Sequence, residues 1–158
     1  MRLKQGCKLW WLALLAVAAD RITKAAARAG GPARDWIPGV LRFHRVSNAG
    51  MAFSLLSGHY WLLTIITGLV LLGVAAYLLA KPDEHPALRA GLWLILGGGL
   101  GNLYDRVFYG RVIDFIELRF VRFAIFNVAD ICICVGAGLV LLGAALQERK
   151  RKGQTDGA

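Results

Sequence analysis

Apolar positions in this chain gather into four long runs, Leu9 to about Ala27, Trp61 to Ala80, Leu88 to about Leu103 and Ala124 to Leu146, separated by short stretches rich in charge. Each run is near the roughly 20 residues a helix needs to cross about 30 Å of hydrocarbon, so the pattern predicts four transmembrane helices. The second run carries no charge at all. The third contains Gly97, Gly98, Gly99 and Gly101, and the four-residue spacing of Gly97 and Gly101 suits close helix approach in a membrane. Between the runs, Gly39 to Phe53 and Val107 to Val121 partly alternate apolar and polar residues and are rich in Val, Ile and Phe. They predict short strands or an amphipathic layer, whose edge could cradle an extended peptide.

Composition narrows this to a membrane all-α class. The chain has 158 residues and is 57% hydrophobic, which fits one integral membrane domain over 1–158 and leaves no room for a second, soluble one. Spans are expected at 9–27, 61–80, 88–103 and 124–146, with a basic tail over 147–158. The formal charge of +9 flanks the apolar runs and forms no basic, aromatic-interleaved face, so anionic lipid headgroups rather than nucleic acid are the expected partner.

Cys7, Cys132 and Cys134 make neither a disulfide framework nor a zinc pattern. Arg2, Lys4 and Lys8 before Leu9 to Ala19 imitate a cleavable signal peptide, but the helical pattern continues through Asp20, Ile22 and Lys24 to Ala27, long enough to span. Four spans put both termini on one side. The run Arg149 to Lys152, the basic N-terminus and the short loop with Lys81 and Arg89 point to the cytoplasm, although Arg28, Arg34, Arg42, Arg45, Arg106, Arg111, Arg119 and Arg122 nearly balance the count opposite.

Polar residues that solvation does not explain fall at one level, the outer ends of spans one, three and four. Asp20 and Lys24 are four apart and can pair on one helix face; Asn102 and Arg106 have the same spacing, with Asp105 beside them. Asn127 and Asp130 share a face at the start of span four, Asp114 arrives from the loop upstream, and Asn48 from the loop after span one. About 16 uncharged residues follow Asp130. Ionisable groups at membrane depth are functional hypotheses by default.

Two carboxylates in a partly dry site do not both ionise easily, so one keeps a proton and the pair becomes an acid and a base facing one water molecule. Such a pair hydrolyses a peptide bond with no metal and no cofactor. Other chemistries are poorly supplied. His44, His59 and His85 show no ligand spacing, Ser47, Ser54 and Ser57 have no evident His and Asp partners, and no glycine-rich loop leads into a helix with a phosphate-binding lysine.

The blocks Asp20-Arg-Ile-Thr-Lys24, Asn48-Ala-Gly-Met-Ala-Phe53, Gly98-Gly-Leu-Gly-Asn-Leu-Tyr-Asp-Arg106, Val112-Ile-Asp-Phe115 and Phe126-Asn-Val-Ala-Asp130 resemble, in order and placement, the five motifs of signal peptidase II. The resemblance implies an aspartic endopeptidase that removes signal peptides from prolipoproteins, cutting before the diacylglyceryl-modified cysteine at the outer face of the bacterial inner membrane. It implies a monomer inhibited by globomycin-type peptides, with Asp114 and Asp130 as the catalytic pair. Asn48, Asn102, Arg106 and Asn127 would orient the pair or the substrate backbone; Gly50 would permit an unusual backbone angle or close approach. Asp20, Lys24 and Asp105 would support the site. Arg21 departs from the glutamine usual in the family and, lying on a different face from Asp20 and Lys24, is expected to act locally or on lipid.

Simpler readings stand beside these. Lys24 and Arg106 could snorkel to headgroups, Asn48 and Asn127 could be turn and cap residues, the tryptophans interfacial anchors, and Glu117 a solvated acid. The rival functions are a proton-relay or transport subunit, which needs ionisable groups through the full span, and a chaperone that binds lipidated peptides without cutting them.

Overall fold

The computed structural model describes residues 9–50 and 60–155. Cys7, the N-terminal basic residues, Met51 to Phe53 of the second motif, Ser54, Ser57 and His59 lie outside the described residues, as does the end of the basic tail.

Four helices and a small sheet follow in the order α1 (Trp11–Ala29), β1 (Arg34–Ile37), β2 (Leu41–Asn48), α2 (Tyr60–Ala80), α3 (Pro86–Tyr109), β3 (Val112–Leu118) and α4 (Val128–Thr155). Among the described residues, two helices are long and apolar enough to cross a membrane, Trp61–Ala80 of α2 and Val128–Gly153 of α4. Helices α1 and α3 carry Asp20, Arg21, Lys24 and Arg28, and Arg89, Asp105 and Arg106.

Helix α3 is the hub, packing against α4, α1 and α2. Its start is cut by Pro86 and by the His85 ring, whose Nδ1 accepts from Ala87 N at 3.2 Å; its end is Gly110 in the left-handed conformation at φ 67°, donating to Arg106 O at 3.0 Å. These are the usual proline-in, glycine-out signals. Among the glycines at the contacts of α3 with α1 and α4, two lie beside the site. A β-carbon on Gly98 would lie 2.5 Å from Ala129 O of α4, and one on Gly101 would lie 2.5 Å from Asp20 Oδ2 of α1. A side chain at Gly98 would push α4 and Asp130 off α3, and one at Gly101 would displace the Asp20 carboxylate.

The sheet is antiparallel in the order β1-β2-β3. It rests on the end of α1 through Phe43, Phe115 and Ala27, all buried, with the two rings 6.1 Å apart. Strands β2 and β3 lie within the two stretches read from the sequence, whereas β1 was not anticipated. The fourth apolar run does not begin as helix. Residues 124–127 are non-helical, and Phe126 pairs with β3, its carbonyl accepting from Phe115 N at 3.0 Å and Ile116 N at 2.9 Å while its N–H donates to Ile116 O at 3.1 Å. The third run is also longer than read, because α3 continues to Tyr109.

Candidate active site

Backbone pairing delivers the two motif aspartates to one place. Val46 of β2 faces Asp114 of β3 directly, and Asn48, two residues on, lies on the same face of the sheet. Asn48 Nδ2 therefore reaches Asp114 Oδ2 at 2.9 Å, while its own Oδ1 accepts from Gly50 N at 2.9 Å. The Phe126 bridge brings the next residue, Asn127, alongside β3, and Asn127 Nδ2 donates to Asp114 Oδ1 at 2.7 Å. Asp114 is 3% exposed and Asn127 fully buried.

Asn127 is also the cap of α4. Its Oδ1 accepts from Asp130 N at 3.1 Å, and its backbone N–H donates to Asp130 Oδ2 at 3.0 Å, a reciprocal box of the kind that starts helices. The second Asp130 oxygen, Oδ1, accepts from Asn102 Nδ2 of α3 at 2.8 Å. Asn102 Oδ1 in turn accepts from Asn127 Nδ2 at 3.2 Å and Lys24 Nζ at 2.8 Å. Asp114 and Asp130 are thus joined through one asparagine, and each receives two N–H bonds.

Behind this pair sits an ionic cluster on α1 and α3. Lys24 Nζ is 3.0 Å from Asp20 Oδ1 and 2.9 Å from Asp105 Oδ2. All three residues have essentially no exposure, so Lys24 does not snorkel. Of the two effects expected of Arg21, local or on lipid, the contacts made are local ones. Its guanidinium bridges Asp20 Oδ2 at 2.6 Å, Asp105 Oδ1 at 2.8 Å and Gly101 O at 3.0 Å, and lies 4.7 Å from the centre of the Tyr104 ring. Arg21 is three residues before Lys24 and so its neighbour on the helix surface, and its long planar guanidinium reaches both acids. Arg28, not singled out from the sequence, adds a contact to Asp105 Oδ1 at 3.3 Å and stacks over Tyr109. The signal was available: Arg28 lies four residues after Lys24, on the same helix face.

Arg106 does not pair with Asn102 as their spacing allowed. It is half-buried, forms no ion pair among the described residues, and feels the charges of Asp130, Asp114 and Asp105. Gly50 is buried next to Asn48. Glu117, read as solvated, meets His44 Nδ1 at 3.0 Å and Arg119 at 3.5 Å on the sheet. Among the described residues no three His, Cys, Asp or Glu side chains are grouped to hold a metal ion.

Burial pushes the Asp114 carboxyl above the usual carboxylate range, and the nearby Asp130 adds to this; the bonds from Asn48 and Asn127 and the charge of Lys24 oppose it. A raised carboxyl beside a second one is the arrangement that divides a pair into proton donor and proton acceptor.

Fold and site together define a helical protein with spanning-length helices and two neighbouring carboxylates, Asp114 buried and Asp130 half-buried, next to a small sheet. The family model for signal peptidase (SPase) II matches residues 12–146. The lipoprotein signal peptidase of Symbiobacterium thermophilum is 40% identical over 144 residues, covering 88% of this chain and 95% of that protein; the one from Gloeobacter violaceus is 39% identical, covering 89% and 83%. A bacterial membrane enzyme solved by the in meso method at 2.3 Å resolution superposes with a TM-score of 0.81 at 29% identity, covering 90% of this chain and 89% of its own. The chain belongs to the signal peptidase II family, and it is a peptidase of lipoprotein signal sequences.

Proposed function

We propose that the peptidase activity resides in Asp114 and Asp130, acting on one water molecule at the outer face of the bacterial inner membrane. One carboxylate takes a proton as water attacks the scissile carbonyl, and its protonated partner donates to the developing oxyanion. The observation that carries this reading is the position of Asn127, which donates 2.7 Å to Asp114 from its side chain and 3.0 Å to Asp130 from its backbone. Asn48, Asn102 and Asn127 orient the carboxylates. Arg106, the cation near both aspartates without an ion pair among the described residues, is placed to meet a substrate carbonyl. Gly50 lets the backbone beside Asn48 approach substrate. Asp20, Lys24 and Asp105 support the site.

The substrate is a prolipoprotein whose diacylglyceryl-modified cysteine follows the cleaved bond. Its acyl chains contribute about 0.8 kcal/mol per buried methylene before losses, so the site opens sideways to lipid. The whole chain forms one domain of four spans and works as a monomer in contact with membrane lipids. Both termini and the basic tail are cytoplasmic, the sheet is extracytoplasmic, and globomycin-type peptides compete for the site. The charged ends of α1 and α3 lie at the level of the aspartates, which supports placing that level at an interface.

The test is cleavage of a prolipoprotein by protein reconstituted in vesicles. Asp114→Asn and Asp130→Asn each fold and lose cleavage, and the unmodified precursor is cut far more slowly than the diacylglyceryl form. Cleavage retained by either variant rejects the pair.

A further inference from the structure

The two aspartates share nearby charges, but their hydrogen-bond donors are anchored differently. Lys24 of α1 and Arg106 of α3 lie near both, and Lys24 is itself paired with Asp20 of α1 and Asp105 of α3. The Lys24 ammonium has three N–H donors and no acceptor. It donates to Asn102 Oδ1 at 2.8 Å and forms ion pairs with Asp20 Oδ1 at 3.0 Å and Asp105 Oδ2 at 2.9 Å. Because an ammonium has no lone pair to offer, only the oxygen of the Asn102 amide can face it. The amide nitrogen is then forced toward Asp130 Oδ1, which it meets at 2.8 Å. An N–H aimed at a carboxyl oxygen favours its ionised form, and here that N–H belongs to an amide polarised by a buried cation.

Asp114 is held differently. Its two donors are Asn48, whose oxygen is tied to Gly50 N, and Asn127, whose Oδ1 is tied to Asp130 N. Both anchors are neutral backbone amides. Asp114 is also 3% exposed whereas Asp130 is half-buried, and a negative charge is harder to keep at the drier position.

We propose that Lys24 is a positioning residue which, by locking the Asn102 amide, makes Asp130 the resting carboxylate and leaves the proton on Asp114. This rests on the aspartate-pair reading above. The water proton passes to Asp130 as the water oxygen bonds to the carbonyl carbon, and the carbonyl oxygen takes the Asp114 proton. In breakdown the C–N bond breaks, Asp130 returns its proton to the leaving nitrogen, and Asp114 recovers one from the hydroxyl of the new carboxyl group. Both groups then regain their starting states.

The experiment uses the full chain in detergent micelles at neutral pH with carbon-13 in the aspartate carboxyls, assigning the two signals with Asp114→Asn and Asp130→Asn. Asp130 should resonate as a carboxylate and Asp114 as a carboxylic acid. Lys24→Gln should lower kcat on the order of 10- to 100-fold, the scale of a small misplacement at a reacting group, with KM within about twofold; Lys24→Arg, which keeps charge but not the three-way fit, should fall between. The reverse carboxyl assignment, or unchanged kcat in Lys24→Gln, overturns the proposal. If Lys24→Gln does not fold, the wild-type carboxyl assignment decides alone. Retained cleavage by either aspartate variant would instead reject the pair itself.

Discussion

Asn127 and Asp130 hold each other, the backbone N–H of each donating to the side-chain oxygen of the other at 3.0 and 3.1 Å. One local motif thus starts helix α4 and orients a carboxylate, and the spare amide N–H of Asn127 reaches Asp114. Asn127→Ala should show both consequences. Loss of the cap should destabilise the fold by about 1 kcal/mol, read as a lower thermal midpoint. Loss of the amide should lower kcat on the order of 10²-fold with little change in KM. A variant that is destabilised yet cleaves at the wild-type rate would separate the cap from the chemistry.

Asp114 sets a pH dependence of stability. Its carboxyl is pushed up mainly by burial, so the folded protein holds that proton more tightly than the unfolded chain. The resulting stabilisation is full below the ordinary carboxylate value of about 3.9 and is lost as pH rises through the higher folded value. Across that window the thermal midpoint of the wild type should fall relative to that of Asp114→Asn. Parallel curves for the two proteins would show that Asp114 titrates normally.

Gly98 should tolerate no side chain. Its would-be β-carbon meets the backbone oxygen of Ala129, one residue before Asp130, and backbone cannot swing aside as a side chain can. Gly98→Val should destabilise by about 1–3 kcal/mol and lower kcat through the shifted Asp130. Wild-type stability and turnover in this variant would mean that α4 moves freely against α3.

Arg89 offers the contrast. Buried to 4% exposure at the far end of α3, it donates to Leu78 O at 3.2 Å and to Lys81 O, closing the end of α2. Arg89→Ala should cost about 1.5–3 kcal/mol, the range for hydrogen bonds to a charged group. Turnover per folded molecule should stay unchanged. A drop in kcat at matched folded fraction would tie this end of the bundle to the site.

The helices and the aspartate pair were legible in the sequence because uninterrupted apolar runs are long-range signals and carboxylates at their edges stand out. What escaped was decided by tertiary contact. Ala124 to Phe126 look like the start of α4 by composition, yet they are non-helical and Phe126 pairs its backbone with β3. Arg34 to Ile37 are too few to show a period and become a strand by lying beside β2. Arg21 was assigned by the position of its Cα, and its reach to Asp20 and Asp105 depends on rotamers that spacing does not encode. The direction of the Asn102 amide likewise follows from Lys24, an interaction 78 residues away in the chain.

If Asp114 and Asp130 act as one unit, it will show in the turnover of Asp114→Asn, Asp130→Asn and the double variant on one diacylglyceryl-modified prolipoprotein. Groups that share a step are strongly non-additive. Each single variant should lose nearly all turnover, and the double variant should be no slower than the slower single. Losses that multiply, or turnover surviving in either single variant, would contradict it.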